Sequence, residues 1–217
     1  MIFTNPLLKK FTTFSGILYC LISSVSVSAN LAESKWQVEK SQDGVAVFTR
    51  ETPSGYKEVK AQVTIKSTPE EFLALLDKTQ SAPLWIDKCR KVELLAKPSE
   101  HERIVRSTFA APWPVKDRDM VTYSLTQIDK STGNVIISIS DRATQFALQD
   151  NVVRMQNVSG QWQLLTNSDY TTTIIYQGYG EPAGNLPTWL ANTLVVSSLL
   201  TTFQNLRLIL EKQNVDE

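Results

Sequence analysis

The C-terminal stretch from Leu186 to Leu210 constrains the fold more than any other part of the chain. Leu186, Leu190, Leu194, Leu200, Phe203, Leu206 and Leu210 recur close to the three- and four-residue spacing of one helix face. Asn185 is placed to cap that helix. Pro187 falls in its first turn, where a missing N–H costs nothing. About 25 residues at ~1.5 Å each predict a helix ~37 Å long, enough to lie across a whole sheet. Arg207, Glu211 and Lys212 mark where it leaves the core. Whatever precedes this helix has to supply the surface that buries it.

The upstream residues read as strands. Val59, Ala61, Val63 and Ile65 alternate with Lys60, Gln62, Thr64 and Lys66, so one face meets a core and the other meets water. Gly44 to Arg50 is a short strand behind an Asp43-Gly44 turn. Thr68-Pro69-Glu70-Glu71 is a helix start: Thr68 caps, Pro69 takes the first helical position and Glu71 completes a capping box. Phe72, Leu73, Leu75 and Leu76 form that helix's buried stripe. Further strands are predicted near 91–96, 102–110, 119–128, 133–140, 152–157, 160–166 and 171–179, an antiparallel meander with turns such as Ser131-Thr132-Gly133. The expected fold class is α+β, one curved antiparallel sheet packed on one long helix. A strongly curved sheet cannot lie flat against a straight helix. The gap between them is either filled by large side chains or left as a ligand cavity, and periodicity leaves both open.

The first residues differ from the rest. Lys9 and Lys10 are the only charges before Glu33, an apolar run extends from Phe11 to Val27, and Val27-Ser28-Ala29 ends in small residues. This is the layout of a secretory signal peptide over 1–29, followed by one domain over 30–217. It predicts a periplasmic or extracellular protein; an uncleaved N-terminal membrane anchor is the alternative. The run is shorter than the ~20 residues a spanning helix needs. Bulky Tyr19 before Cys20 argues against lipid attachment there. Cleavage leaves Cys89 without a disulfide partner, so it reads as a buried apolar residue.

Lysine plus arginine and aspartate plus glutamate are balanced at 22 each, and no basic run interleaved with aromatics occurs, so nucleic acid is not an expected partner. The sole histidine, His101, sits in a polar turn. There is no G-x-S-x-G elbow, no H-E-x-x-H or paired-cysteine metal motif and no Gly-rich phosphate loop. No catalytic residue, metal or cofactor is therefore expected. Among polar residues Arg118 stands out: it either meets a ligand's polar group at a cavity wall or pairs with Asp117, Asp119 or another acid. Strict alternation puts Val121, Tyr123 and Leu125 on the face of Asp119, so Arg118 needs a bend to reach the interior. Arg154 is either a buried ion-pair partner or exposed, and Arg106 is expected in solvent. Trp113 sits between two prolines, which stiffen its loop.

Several segments, in order, carry a family resemblance. Trp36 with Asp43-Gly44-Val45-Ala46-Val47-Phe48-Thr49-Arg50, Trp85 with Cys89, Ala111-Pro112-Trp113-Pro114-Val115-Lys116-Asp117-Arg118-Asp119, Val153-Arg154 with Gly160-x-Trp162, and Glu181-Pro182-x-Gly184-x-Leu186-Pro187-x-Trp189-Leu190-x-Asn192 together resemble START domains, the steroidogenic-acute-regulatory-protein-related lipid-transfer family. The resemblance spans about 36 to 212. It implies a helix-grip fold, a curved sheet wrapped around the C-terminal helix, with one lipid (sterol, phospholipid or similar) held in an apolar tunnel without a cofactor. It further implies a monomer in transient contact with a membrane surface. Carried onto this chain, the ligand-binding residues are Trp113, Arg118, Tyr176, Trp189, Leu190 and Leu194. The lid is residues 110–117 with the helix face at 186–200, and Leu194→Trp would block the tunnel. Trp162 joins Tyr176 and Trp189 as large aromatics near the grip. The alternative is a cyclase or hydratase acting on a small hydrophobic substrate, with Asp119 or Glu181 as its acid or base.

Overall fold

The computed structural model describes residues 35–213; the expected signal peptide lies outside the described residues. The chain starts with a hairpin, β1 (Gln37–Gln42) and β2 (Val45–Arg50). Asp43 and Gly44 form its two-residue turn with φ of 51° and 75°, the backbone an Asp-Gly pair adopts readily. β3 (Glu58–Ile65) buries Val59, Ala61, Val63 and Ile65, as the alternation predicts. α1 (Pro69–Asp77) begins with the expected capping box: the Glu71 amide donates to Thr68 Oγ1 at 3.3 Å and the Thr68 amide to Glu71 Oε2 at 3.0 Å. A turn of 3-10 helix and α2 (Ala82–Trp85), neither foreseen, lead into β4 (Cys89–Ser99).

Then follow β5 (Glu102–Phe109), β6 (Asp117–Ile128), β7 (Val135–Asp141), β8 (Val152–Arg154), β9 (Gln156–Thr166) and β10 (Thr172–Glu181). Among the described residues these strands make one sheet in the order β1-β2-β3-β10-β9-β7-β6-β5-β4. The chain departs from a simple meander at β8, which pairs in parallel with the start of β6 above the end of β7. The break between β8 and β9 falls at Met155, earlier than predicted, because Met155 donates its amide to Asp119 O at 2.8 Å and turns the chain.

α3 (Thr188–Gln213) closes the fold. It is long and apolar enough to cross a membrane by length and composition, but Phe203, Leu206 and Leu210 are fully buried inside the protein, each burial worth ~1.5–3 kcal/mol. It packs on β2 and β3 and on α2. The solid core lies there, between α3, α1 and the β2-β3-β10-β9 part of the sheet. β4, β5 and β6 contribute nothing to that core.

Candidate functional site: a cavity over half of the sheet

Where the core stops, the interior is hollow. A cavity of about 360 Å³ lies between the β4–β7 part of the sheet and the helices, within the ~300–1,000 Å³ typical of small-molecule pockets. Its roof is Leu75 and Leu76 of α1, Ala82 and Trp85 of α2, and Ala191, Val195, Ser198, Leu199 and Thr202 of α3. Ile137 and Ile139 of β7 and Val158 of β9 form an apolar floor. The boundary with the solid core is aromatic: Trp162 lies 5.1 Å from Phe72, 4.6 Å from Tyr176 and 5.8 Å from Phe203, centroid to centroid.

Of the six ligand-binding residues expected from the sequence, Tyr176 lines this cavity and the other five do not. Tyr176 is held by two glycines. Gly178 and Gly160 sit directly opposite one another on β10 and β9, and a Cβ at Gly178 would fall 2.4 Å from the Tyr176 hydroxyl. The bare backbone lets the phenol lie along the sheet. Burial pushes its pKa up to about 12, so it stays a neutral donor, and among the described residues its hydroxyl has no hydrogen-bond partner.

The other five are placed differently for identifiable reasons. On α3 the cavity-facing residues run 191, 195, 198, 199 and 202. Leu190 and Leu194 each precede one of these by a single position, a turn of about 100° about the axis, and are half-buried beside the cavity's face. Trp189 is 69% exposed and Trp113 is 93% exposed, both on the outer surface. Arg118 is buried and joins two segments: its guanidinium donates to Lys116 O in the loop before β6 and to Ala183 O, at 3.3 Å, before α3. Burial holds its pKa below the ordinary arginine value.

Strand β6 needs no bend. Its cavity face is Met120, Thr122 and Ser124, and Phe109, directly opposite Arg118, also lines the cavity. Asp119, Val121, Tyr123 and Leu125 form the outer face, covered at Asp119 by residues 143–147. Asp119 is fully buried there and accepts from Arg154 Nε and Nη2, both at 2.8 Å. Arg154 also donates to Ala143 O, Phe146 O and Ala147 O. Arg106, expected in solvent, lies 3.6 Å from the same carboxylate with its side chain nearly buried. Glu181 accepts from Tyr179 Oη at 2.6 Å and does not line the cavity. His101 is exposed, and Cys89 is half-buried with its thiol pKa raised by burial. Among the described residues no cluster of His, Cys, Asp or Glu has the arrangement of a metal site.

A helix-gripping sheet with a hollow interior matches one family directly: the START domain matches residues 20–214. The chain belongs to the START domain family. This START domain is 30% identical, over 91% of its length and 99% of the relative's, to the uncharacterized protein PA1579 of Pseudomonas aeruginosa. It is similar to the crystal structure of a STAR-related lipid transfer protein fragment from Xanthomonas axonopodis, 26% identical with a TM-score of 0.73, covering 81% of this chain and 98% of that one. The human StAR-related lipid transfer protein 5, 15% identical, shares the fold with a TM-score of 0.71 over 86% of this chain and 90% of its own. The helix-grip architecture read from the sequence is the one observed.

Proposed function

We propose that this START domain is a non-catalytic lipid carrier that holds one hydrophobic ligand in the cavity and exchanges it unchanged with a membrane. The observation that carries the reading is the cavity itself, enclosed by sheet and helices and apolar over its roof and the β7–β9 floor. Apolar burial at roughly 25 cal/mol per Å² supplies the affinity. The likeness to the Xanthomonas STAR-related lipid transfer protein supports the same reading. Tyr176 is then a ligand contact that offers a neutral donor. Trp113 and Trp189 serve as membrane anchors on the two segments that Arg118 joins. Leu190 and Leu194 serve as packing. The protein acts as a monomer exported by its leader, residues 1–29, to the periplasm or cell exterior.

A cyclase or hydratase needs a carboxyl group poised in the cavity. Asp119 lies on the outer face, bound by Arg154, and Glu181 lies outside the lining. Neither supports that chemistry. Native mass spectrometry of the protein purified from its own host tests the carrier reading. One lipid bound per chain is expected. A protein that emerges empty and takes up nothing from its host's lipid extract would count against it.

A further inference from the structure

The cavity's walls differ in chemistry, and the difference follows the strands. β5 and β6 present Arg103, Ser107, Thr122 and Ser124 inward. Register sets Arg103 directly opposite Ser124, with Thr122 and Ser107 on the neighbouring pairs. Interior faces are ordinarily apolar, yet Ser107 and Thr122 are only 6% and 4% exposed. Among the described residues the hydroxyls of Ser107, Thr122 and Ser124 have no hydrogen-bond partner. Buried polar groups are normally satisfied, so three such hydroxyls on one wall point to a polar ligand group.

Arg103 fixes the sign of that group. Its ion-pair partner is Asp77, the last residue of α1; Asp77 is 52% exposed and Arg103 17%. A guanidinium carries five N–H donors in a planar fork, and one carboxylate reached from the rim occupies a single edge of it. An ion pair so open to water is worth at most ~1 kcal/mol, so Asp77 is a weak competitor for an anion in the drier cavity. The other cation near the mouth, Lys57, is engaged by Glu39 at 2.7 Å. Asp87 lies on the roof, where Thr202 and Ser198 hold its backbone, and it repels an acid toward the β5–β6 wall. One transverse row of the sheet runs Gly178, Gly160, Ile139, Ser124, Arg103. At ~4.8 Å per strand, Arg103 stands ~14 Å along the floor from Gly160, where the Tyr176 hydroxyl lies. The floor between them is Ile139. The volume, about 360 Å³, sits near the lower end of the small-molecule range and suits one chain better than two.

We infer that the ligand is a single-chain amphiphile with an acidic headgroup, whose carboxylate or phosphate docks on Arg103 and accepts hydrogen bonds from Ser124, Thr122 and Ser107. The inference rests on the lipid-carrier reading and narrows it to a ligand class. Its test is calorimetric titration of the purified, lipid-stripped chain with oleate, oleyl alcohol and 1-oleoyl-lysophosphatidate. The wild type binds at least one acid about tenfold or more tighter than the alcohol, the scale of a charge-assisted hydrogen bond; the tighter acid names the headgroup. Arg103→Met abolishes the preference and keeps the affinity for the alcohol. Should that variant fail to fold, Asp77→Asn serves, because removing the competing carboxylate strengthens binding of the acid but not of the alcohol. Equal affinities in the wild type, a preference that survives Arg103→Met, or an Asp77→Asn variant that favours neither would overturn the headgroup assignment with the carrier reading intact. A wild type that binds none of the three but takes up a lipid from host extract refutes the assignment alone; one that takes up nothing removes both.

Discussion

At Asp119 a carboxylate without access to water is held by two Arg154 nitrogens and faced by Arg106. Removing one partner of a buried pair leaves the other charge uncompensated and typically costs 3–5 kcal/mol. Asp119→Asn, which strands both arginines, is therefore expected to lower unfolding stability by about 3–5 kcal/mol in urea titration. The cavity lies on the opposite face of β6, so ligand affinity in the remaining folded protein should hold; a stable variant would show that the cluster is dispensable. The Arg118-Asp119 pair was legible in the sequence as important, but its partners were not. Asp119 turns to Arg154, 35 positions away, and Arg118 to the carbonyls of Lys116 and Ala183. Side-chain alternatives within reach on paper, such as Asp117, are engaged elsewhere: Asp117 accepts from the Ala111 amide at 3.0 Å and pairs with Arg90 at 3.2 Å.

For whole elements the period was legible and the direction was not. The alternation of β3 and the stripe of α3 give the right faces because solid core meets them: Val63, Ile65, Phe203 and Leu206 are buried as expected. In β6 the same logic points outward. Its apolar set, Val121 with Tyr123 and Leu125, lies on the convex side, where Arg142 donates to Val121 O and stacks over Tyr123. Its small polar set faces the cavity. Alternation reports where apolar atoms go, and in a hollow fold one side of a strand answers to the ligand instead. α3 carries the same lesson at finer grain, since one helical position separates Leu194 from the cavity-lining Val195. Two bulky substitutions separate these faces. Ile139→Trp places an indole in the cavity floor and should weaken ligand binding at least about tenfold, while overpacking costs ~1–3 kcal/mol of stability. Leu194→Trp should leave affinity within about threefold, because residue 194 is outside the lining. Titration of both with the lipid found by mass spectrometry decides the helix's orientation, and loss of binding in the second would place the cavity on the wrong face.

Across the whole molecule, the sheet is divided between two tasks: β2, β3, β10 and β9 grip α3, and β4 to β7 are left to hold a ligand. The long helix closing a sheet could be read from sequence; the division could not, because the aromatic boundary at Trp162 forms only when Phe72, Tyr176 and Phe203 converge from three other elements. This division makes the approach to a membrane a separate function from ligand capture. Trp113 and Trp189 are almost free of protein contact and line nothing, and indole favours the boundary between headgroups and hydrocarbon. Each side chain buried there contributes about 1.5–3 kcal/mol. Lysine plus arginine equals aspartate plus glutamate, so attraction to anionic headgroups contributes little and the contact should vary weakly with ionic strength. Replacing both tryptophans with serine is thus expected to slow lipid exchange between vesicles at least about tenfold on the energies just given, at low and moderate salt alike, with solution affinity for the ligand unchanged. Vesicle-to-vesicle transfer of a fluorescent lipid measures the first quantity and calorimetry the second. Exchange at the wild-type rate would show that the tryptophans do not reach the membrane; a parallel loss of affinity would show that they belong to the binding site after all.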